Sequence, residues 1–164
     1  FEPVTDNPSY HPGRCAKILT GETELGIFGT IHPVISKNYG AGKSEILAAE
    51  INLDVMFANA NTDKLYQPLP KYPASTRDIA VLCDDSIPVA HMEKAIAKAV
   101  GGILEAVSLF DVYKGDQVPE GKKSVAYSMR LRGSDRTLTD EECDNAMKKA
   151  IAALEKQFDA KLRQ

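Results

Sequence analysis

The 164-residue sequence predicts an α+β protein assembled from two parts. Three observations carry that prediction. Apolar residues alternate with period two in several stretches beyond residue 77, which marks strands. Two longer stretches repeat apolar residues at helical spacing, and one of these opens on a capping box. Residues 61–76 contain Pro68, Pro70 and Pro73 with few periodic apolar positions, and so read as a break between the parts.

The first part is a small α/β piece. Residues 14–20 and 25–32 form short strands around Gly21-Glu22-Thr23-Glu24, a hairpin composition. Pro33 suits the first position of a short helix that stops near Tyr39 and Gly40. Residues 45–53 read as a further strand, and Asp54 is placed to cap a brief helix through Ala60. This is too little to close a core, so it reads as the edge of a larger sheet. The start at Phe1, in an irregular stretch, reads as a piece of a longer polypeptide. The expected division is 1–62, a linker at 63–70, and 71–164.

The second part has cleaner patterns. Residues 78–83 form a strand with Ile79, Val81 and Cys83 on one face and Asp78, Ala80 and Leu82 on the other. Pro88 opens a helix with Val89, Met92, Ile96, Ala99 and Val100 as its stripe, and Gly101-Gly102 ends it. Alternation from Leu109 to Tyr113 puts Phe110 and Val112 on one face and Leu109, Asp111 and Tyr113 on the other. In the next strand Val125, Tyr127, Met129 and Leu131 are the apolar set, opposite Ser124, Ala126, Ser128, Arg130 and Arg132. Thr139 and Glu142 make the capping box, with Leu138 and Cys143 spaced as a hydrophobic staple. The helix that follows buries Cys143, Met147, Ala150, Ile151, Leu154 and Phe158, and residues 160–163 form a last strand. The order βαββαβ is that of the ferredoxin-like split βαβ unit, an antiparallel sheet with both helices on one face and the other face free.

Charge narrows the function. The formal net charge of −3 gives no global basic field for a nucleic acid. Between Lys114 and Arg136, however, six basic residues face three acidic ones. The free face therefore combines the ring of Tyr113, the carboxylate of Asp111, the hydroxyl of Ser124 and the small Ala80 with Lys122, Lys123, Arg130 and Arg132. Such a surface can stack unpaired bases, read their edges and hold phosphates. The residues alone also allow an ordinary solvated sheet face.

Other motifs carry less. Gly40-Ala41-Gly42-Lys43-Ser44 resembles a phosphate loop, but the spacing requires glycine where Lys37 stands, so it reads as a plain loop. His11, His32 and His91 lack ligand spacing, and no nucleophile sits beside a base. Cys15, Cys83 and Cys143 are far apart, as separate thiols of a reducing compartment would be. No apolar run is long enough to span a membrane.

Six segments in order carry a family resemblance: HPGR from His11, GIFGTIHP from Gly26, YPASTRDIA from Tyr72, LFDVYKG from Leu109, GKKSVAY from Gly121 and RTLTDEE from Arg136. Together they resemble the C-terminal part of the bacterial phenylalanyl-tRNA synthetase β subunit, over essentially the whole chain. The resemblance implies that residues from about 71 are a ferredoxin-fold anticodon-binding domain. It implies that 1–62 end the catalytic-like, non-catalytic module of a class II synthetase. It places the family's base-contacting positions on Ala80, Asp111, Tyr113 and Ser124. Tyr72 stands where the family often has Phe, a packing change. The implied partners are the anticodon of tRNA-Phe, the rest of the β subunit and the catalytic α subunit, in an α2β2 cytoplasmic enzyme. ATP and magnesium would serve that whole enzyme, with no cofactor and no catalysis in this fragment. The alternative is a ferredoxin-like regulatory or protein-interaction module with no RNA role.

Overall fold

The computed structural model describes residues 1–41, 44–61, 63, 65–66 and 68–163, and the chain divides into two compact units, Phe1–Gln67 and Pro68–Gln164. In the first unit β1 (Glu2–Pro3), β2 (Tyr10–Thr20), β3 (Thr23–Ile31) and β4 (Leu47–Ile51) form an antiparallel sheet in that order. β2 starts at Tyr10 rather than Arg14, because a register shift between Tyr10 and Cys15 lets the strand continue past Pro12 and Gly13. The hairpin loop is Gly21-Glu22 alone, since Thr23 and Glu24 already pair with β2.

Helix α1 (Pro33–Asn38) has Pro33 in its first turn, and His32 Nδ1 accepts the Val34 N–H at 3.3 Å. Helix α2 (Leu53–Ala58) is capped by Asn52, whose Oδ1 accepts the Val55 N–H at 3.1 Å. The expected cap Asp54 instead lies in the first turn, where its charge favours the helix dipole. Val4, Tyr10 and Cys15 form a small core with Ile27, Ile31 and Ala48 beside it. Leu47, Leu53 and Phe57 stay exposed. Gly42 and Lys43 of the loop weighed as a phosphate loop lie outside the described residues, as do Lys64 and Gln67 of the expected linker.

The second unit runs β5 (Ser75–Asp84), α3 (Val89–Val100), β6 (Leu104–Tyr113), β7 (Lys122–Leu131), α4 (Asp140–Phe158) and β8 (Lys161–Leu162). Its antiparallel sheet has the order β6-β7-β5-β8, the ferredoxin-like arrangement. β5 begins at Ser75, inside the stretch read as linker, because Ser75 and Thr76 pair with Leu131 and Arg130.

One face of the sheet meets both helices. Ile79, Val81 and Cys83 of β5 and Val125, Tyr127, Met129 and Leu131 of β7 are buried there. Met92, Ile96 and Val100 of α3, with Cys143, Ala146, Ala150 and Leu154 of α4, pack onto them. Ala95 rather than Ala99 completes the buried stripe of α3. Met92, Ile96, Tyr127, Met129, Leu131 and Leu154 are fully buried, each worth roughly 1.5–3 kcal/mol of transfer free energy. The Tyr127 hydroxyl donates to the Val89 carbonyl at 2.9 Å, and burial pushes its phenol above the ordinary range. Both halves of the α4 capping box form. Among the described residues no helix is long and apolar enough to cross a membrane.

Candidate nucleic-acid interface

The second face of the β6-β7-β5-β8 sheet carries no helix, and the strand register sorts its side chains into rows. Directly paired residues of antiparallel strands point to the same side. Tyr113 pairs with Ser124, and Ser124 with Leu82, which in turn faces Lys161. The next row joins Asp111, Ala126 and Ala80. Ser108, Ser128 and Asp78 form a third, and Ala106, Arg130 and Thr76 a fourth. Asp111, Tyr113, Ser124 and Ala80 thus sit on adjacent rows of one surface, floored by alanine and serine.

A register shift in β6 creates that placement. Leu109 pairs with Tyr127 and Asp111 with Ala126, so Phe110 is an extra residue between them. Plain alternation put Leu109 with Asp111 and Tyr113. The bulge instead sends Leu109 toward the helices, where it packs on the core, while Asp111 and Tyr113 face outward. Asp111 is exposed, and among the described residues it has no hydrogen-bond or ion-pair partner.

Tyr113 is 37% exposed, and its hydroxyl lies over Gly115. A Cβ at Gly115 would come 2.2 Å from that oxygen, so a larger residue there would push the ring aside. Ala126 and Ser124 are nearly covered, at 8% and 3% exposure. What covers them was not foreseen. Arg163 follows β8, and its backbone N–H donates to the Ala80 carbonyl at 2.8 Å. Its side chain crosses β5, which lies between β8 and β7, donates to Ser124 Oγ at 3.2 Å and stands over the Tyr113 ring, 5.8 Å from the centroid. The available signal was the strand expected at 160–163, whose pairing beside β5 places residue 163 next to Ala80.

The four expected cations separate into different environments. Lys122 is on the open face, with Asp84 at 3.9 Å. Arg130 is also there and half-exposed, its Nε 2.9 Å from Glu105. Arg132 is mostly buried, bound to the same Glu105 carboxylate at 3.1 Å and to the Tyr72 carbonyl. Its guanidinium ties β7 to the segment before β5. Lys123 is not on this surface. It pairs with Cys83 on the helix-facing side, and its ammonium donates to the Asp85 carbonyl at 2.9 Å and the Ile87 carbonyl at 2.6 Å. Its parity with Val125 and Tyr127 already implied that side. The residue closes the β5–α3 turn.

No carboxylate on this face is paired with a second one for acid–base work. Among the described residues no group of three His, Cys, Asp or Glu is placed to hold a metal ion. Cys15, Cys83 and Cys143 are all buried and free, with burial raising the Cys83 thiol. The surface is suited to binding: the ring of Tyr113, the carboxylates of Asp111 and Asp78, unpaired among the described residues, the hydroxyls of Ser124, Ser128 and Ser108, and cations at its margins.

Comparison with known proteins identifies the family of each part. The family model described as ferredoxin-fold anticodon binding domain matches residues 70–163. A second, described as phenylalanyl tRNA synthetase beta chain CLM domain, matches residues 1–53. The chain is 47% identical over 163 residues to the phenylalanine–tRNA ligase beta subunit of Clostridium tetani, covering 99% of this chain and 20% of that protein. It is 43% identical over 159 residues to the beta subunit of Clostridium acetobutylicum, covering 97% and 20%. For Geobacillus kaustophilus the figures are 40% identity over 153 residues, 93% and 19%. The chain thus spans about one fifth of the length of the curated relatives it matches.

Proposed function

The chain belongs to the ferredoxin-fold anticodon binding domain family, and on that premise we propose that it is the anticodon-reading end of a phenylalanine–tRNA ligase β subunit. In this reading the helix-free face of the second unit holds the single-stranded anticodon loop of tRNA-Phe. Tyr113 stacks on one base, a contact worth about 1–3 kcal/mol and indifferent to base identity. Asp111 supplies the discrimination. A free carboxylate accepts hydrogen bonds from base imino and amino groups and repels phosphate, so it selects an edge rather than a backbone. Ser124 adds a hydroxyl beside the ring, and Ala80 with Ala126 keeps the floor low enough for a base to lie flat. Lys122 and Arg130 hold phosphates at the margin. Lys123 and Arg132 act through the fold instead.

The observation that carries the reading is the pairing of Asp111 and Tyr113 on one helix-free face by the β6 bulge, within the segment that the anticodon-binding family matches. Phenylalanine activation, ATP and magnesium belong in this reading to the rest of a cytoplasmic α2β2 enzyme, with its catalytic α subunit. Residues 1–62 would complete the β subunit's catalytic-like module. This chain would contribute recognition and no chemistry.

The test is a titration of the 164-residue chain with a tRNA-Phe anticodon stem-loop, beside a stem-loop of the same length with a scrambled anticodon. Tyr113→Ala is expected to weaken the cognate complex by about 5- to 150-fold, the equivalent of one stacked base. Asp111→Asn is expected to reduce the preference for the cognate loop more than the affinity itself. Equal binding of both loops by wild type and both variants would overturn the reading.

A further inference from the structure

Arg163 occupies the places that the proposed reading gives to a base. Its guanidinium covers the Tyr113 ring with Cζ 5.8 Å from the centroid, donates to Ser124 Oγ at 3.2 Å and approaches Gln117 Oε1 at 3.4 Å. Its backbone is held beside Ala80 by the N–H bond to that carbonyl, and because β5 lies between β8 and β7 its side chain crosses β5 to reach Ser124. All of these partners are neutral, and no carboxylate among the described residues pairs with it. Arg132 differs on this point, being fixed by Glu105 and a backbone carbonyl.

A guanidinium is a flat cation that stacks on rings and hydrogen-bonds at its edge, so it fits the same slot as a nucleobase. It binds a phosphate more strongly than it binds a neutral hydroxyl and ring, because the phosphate interaction is charge-assisted and bidentate. A strand of RNA brings both a base for the slot and a phosphate for the cation.

We propose that Arg163 is an exchange residue, whose guanidinium holds the Tyr113 ring and Ser124 hydroxyl in the free protein and surrenders them to a base while moving to a phosphate of the same RNA. The proposal rests on the anticodon-binding reading. The slot is kept ordered and covered without RNA, and its cover becomes part of the grip once RNA arrives. The guanidinium leaves neutral partners for an anionic one, so the exchange runs toward the complex only when a phosphate comes with the base.

The experiment is NMR of arginine side-chain Nε–Hε groups in the 164-residue chain, with the Arg163 signal assigned by its loss in Arg163→Lys. In the free protein the signal is expected upfield from the ring current of Tyr113 and back in the ordinary range in Tyr113→Leu. Cognate stem-loop should remove the upfield shift, and a scrambled loop at equal concentration should not. In a salt series Arg163→Ala should reduce the slope of log affinity against log salt by about 0.7, one phosphate interaction with a single strand. Cognate binding that needs Tyr113 while Arg163 keeps its upfield shift would overturn the exchange and leave the anticodon reading intact. An unchanged salt slope would overturn the move to phosphate. Stem-loop binding indifferent to Tyr113→Leu would remove the anticodon reading and the exchange with it, and the upfield shift of the free protein would show that the slot itself was sound.

Discussion

Replacing Lys123 with methionine keeps an aliphatic stem beside Cys83 and deletes the ammonium that binds the Asp85 and Ile87 carbonyls at 2.9 and 2.6 Å. Hydrogen bonds to a charged group are worth about 1.5–3 kcal/mol each. Asp85 lies at the surface, so water recovers part of that loss, and the expected cost is about 2–4 kcal/mol. For a domain stabilised by some 5–15 kcal/mol this is a large share. At about 4–8 °C per kcal/mol for a unit of this size, the thermal midpoint should fall by roughly 8–32 °C. Circular dichroism melts would measure it, with Lys122→Met as the neighbour on the opposite face. That variant loses only an exposed pairing with Asp84 at 3.9 Å and should melt within about 0.5 kcal/mol of wild type. Stem-loop affinity should show the reverse order, weakened by Lys122→Met and unchanged by Lys123→Met below its melting range. A Lys123→Met protein that melts like wild type and loses RNA affinity would refute the assignment of this ammonium to the turn.

Three further outcomes are expected. The Arg136 guanidinium, helped by the Thr139 N–H, holds the Glu142 carboxyl at about 2 against an ordinary 4.5. Its folded pKa is lowered, so its stabilisation is complete above about 4.5 and is lost as pH falls toward 2; melts from pH 6 to 2 should show a flatter decline in Glu142→Gln. Gly26→Ala would put a Cβ 2.0 Å from the Glu50 carbonyl oxygen, a backbone atom that must shift. It should cost about 1–3 kcal/mol and loosen hydrogen-exchange protection along the β3–β4 pairing while sparing the second unit. Glu105→Gln removes the carboxylate shared by Arg130 and Arg132; Arg132 keeps the Tyr72 carbonyl and the exposed Arg130 is freed, so stem-loop affinity at low salt should rise and its salt dependence steepen by up to about 0.7. Unchanged affinity would show that the Arg130 guanidinium does not meet phosphate.

Local rules carried most of the fold because most elements obey a single period. The T-x-x-E box at Thr139 and Glu142 and the alternation from Val125 to Leu131 leave little choice of structure. Failures came where two periods compete or where a distant residue decides. Leu109 was assigned to the wrong face because one extra residue, Phe110, breaks the alternation, and only the partner strand reveals a bulge. Lys123 was grouped with Lys122 by charge, although its parity matched Val125 and Tyr127. A lysine on an apolar face is legible only once the facing carbonyls are known. Asp54 and Asn52 are both good capping residues two positions apart, and the exit from β4 chose between them. Arg163 was invisible as a site residue because its side chain reaches across two strands, which no local pattern encodes. Asp111, Tyr113, Ser124 and Ala80 did land on one surface, through the register that alternation alone had partly misread.

The bulge at Phe110, the second of two irregularities in β6, separates the strand after Leu109 from the stretch before it. From Leu104 to Leu109 the strand answers to the helices, since its inward residues are held by the packed layer beneath. From Asp111 onward it answers to the outer surface, and the extra residue absorbs any mismatch between the two. Bulges sharpen local twist and bend a strand, so the far segment can be re-aimed without disturbing the near one. Side chains at 111 and 113 could therefore change identity over many generations, or at a designer's bench, while Leu109 and Tyr127 keep their partnership. The part of the domain that chooses its ligand would be free to vary while the part that keeps it folded stayed constant.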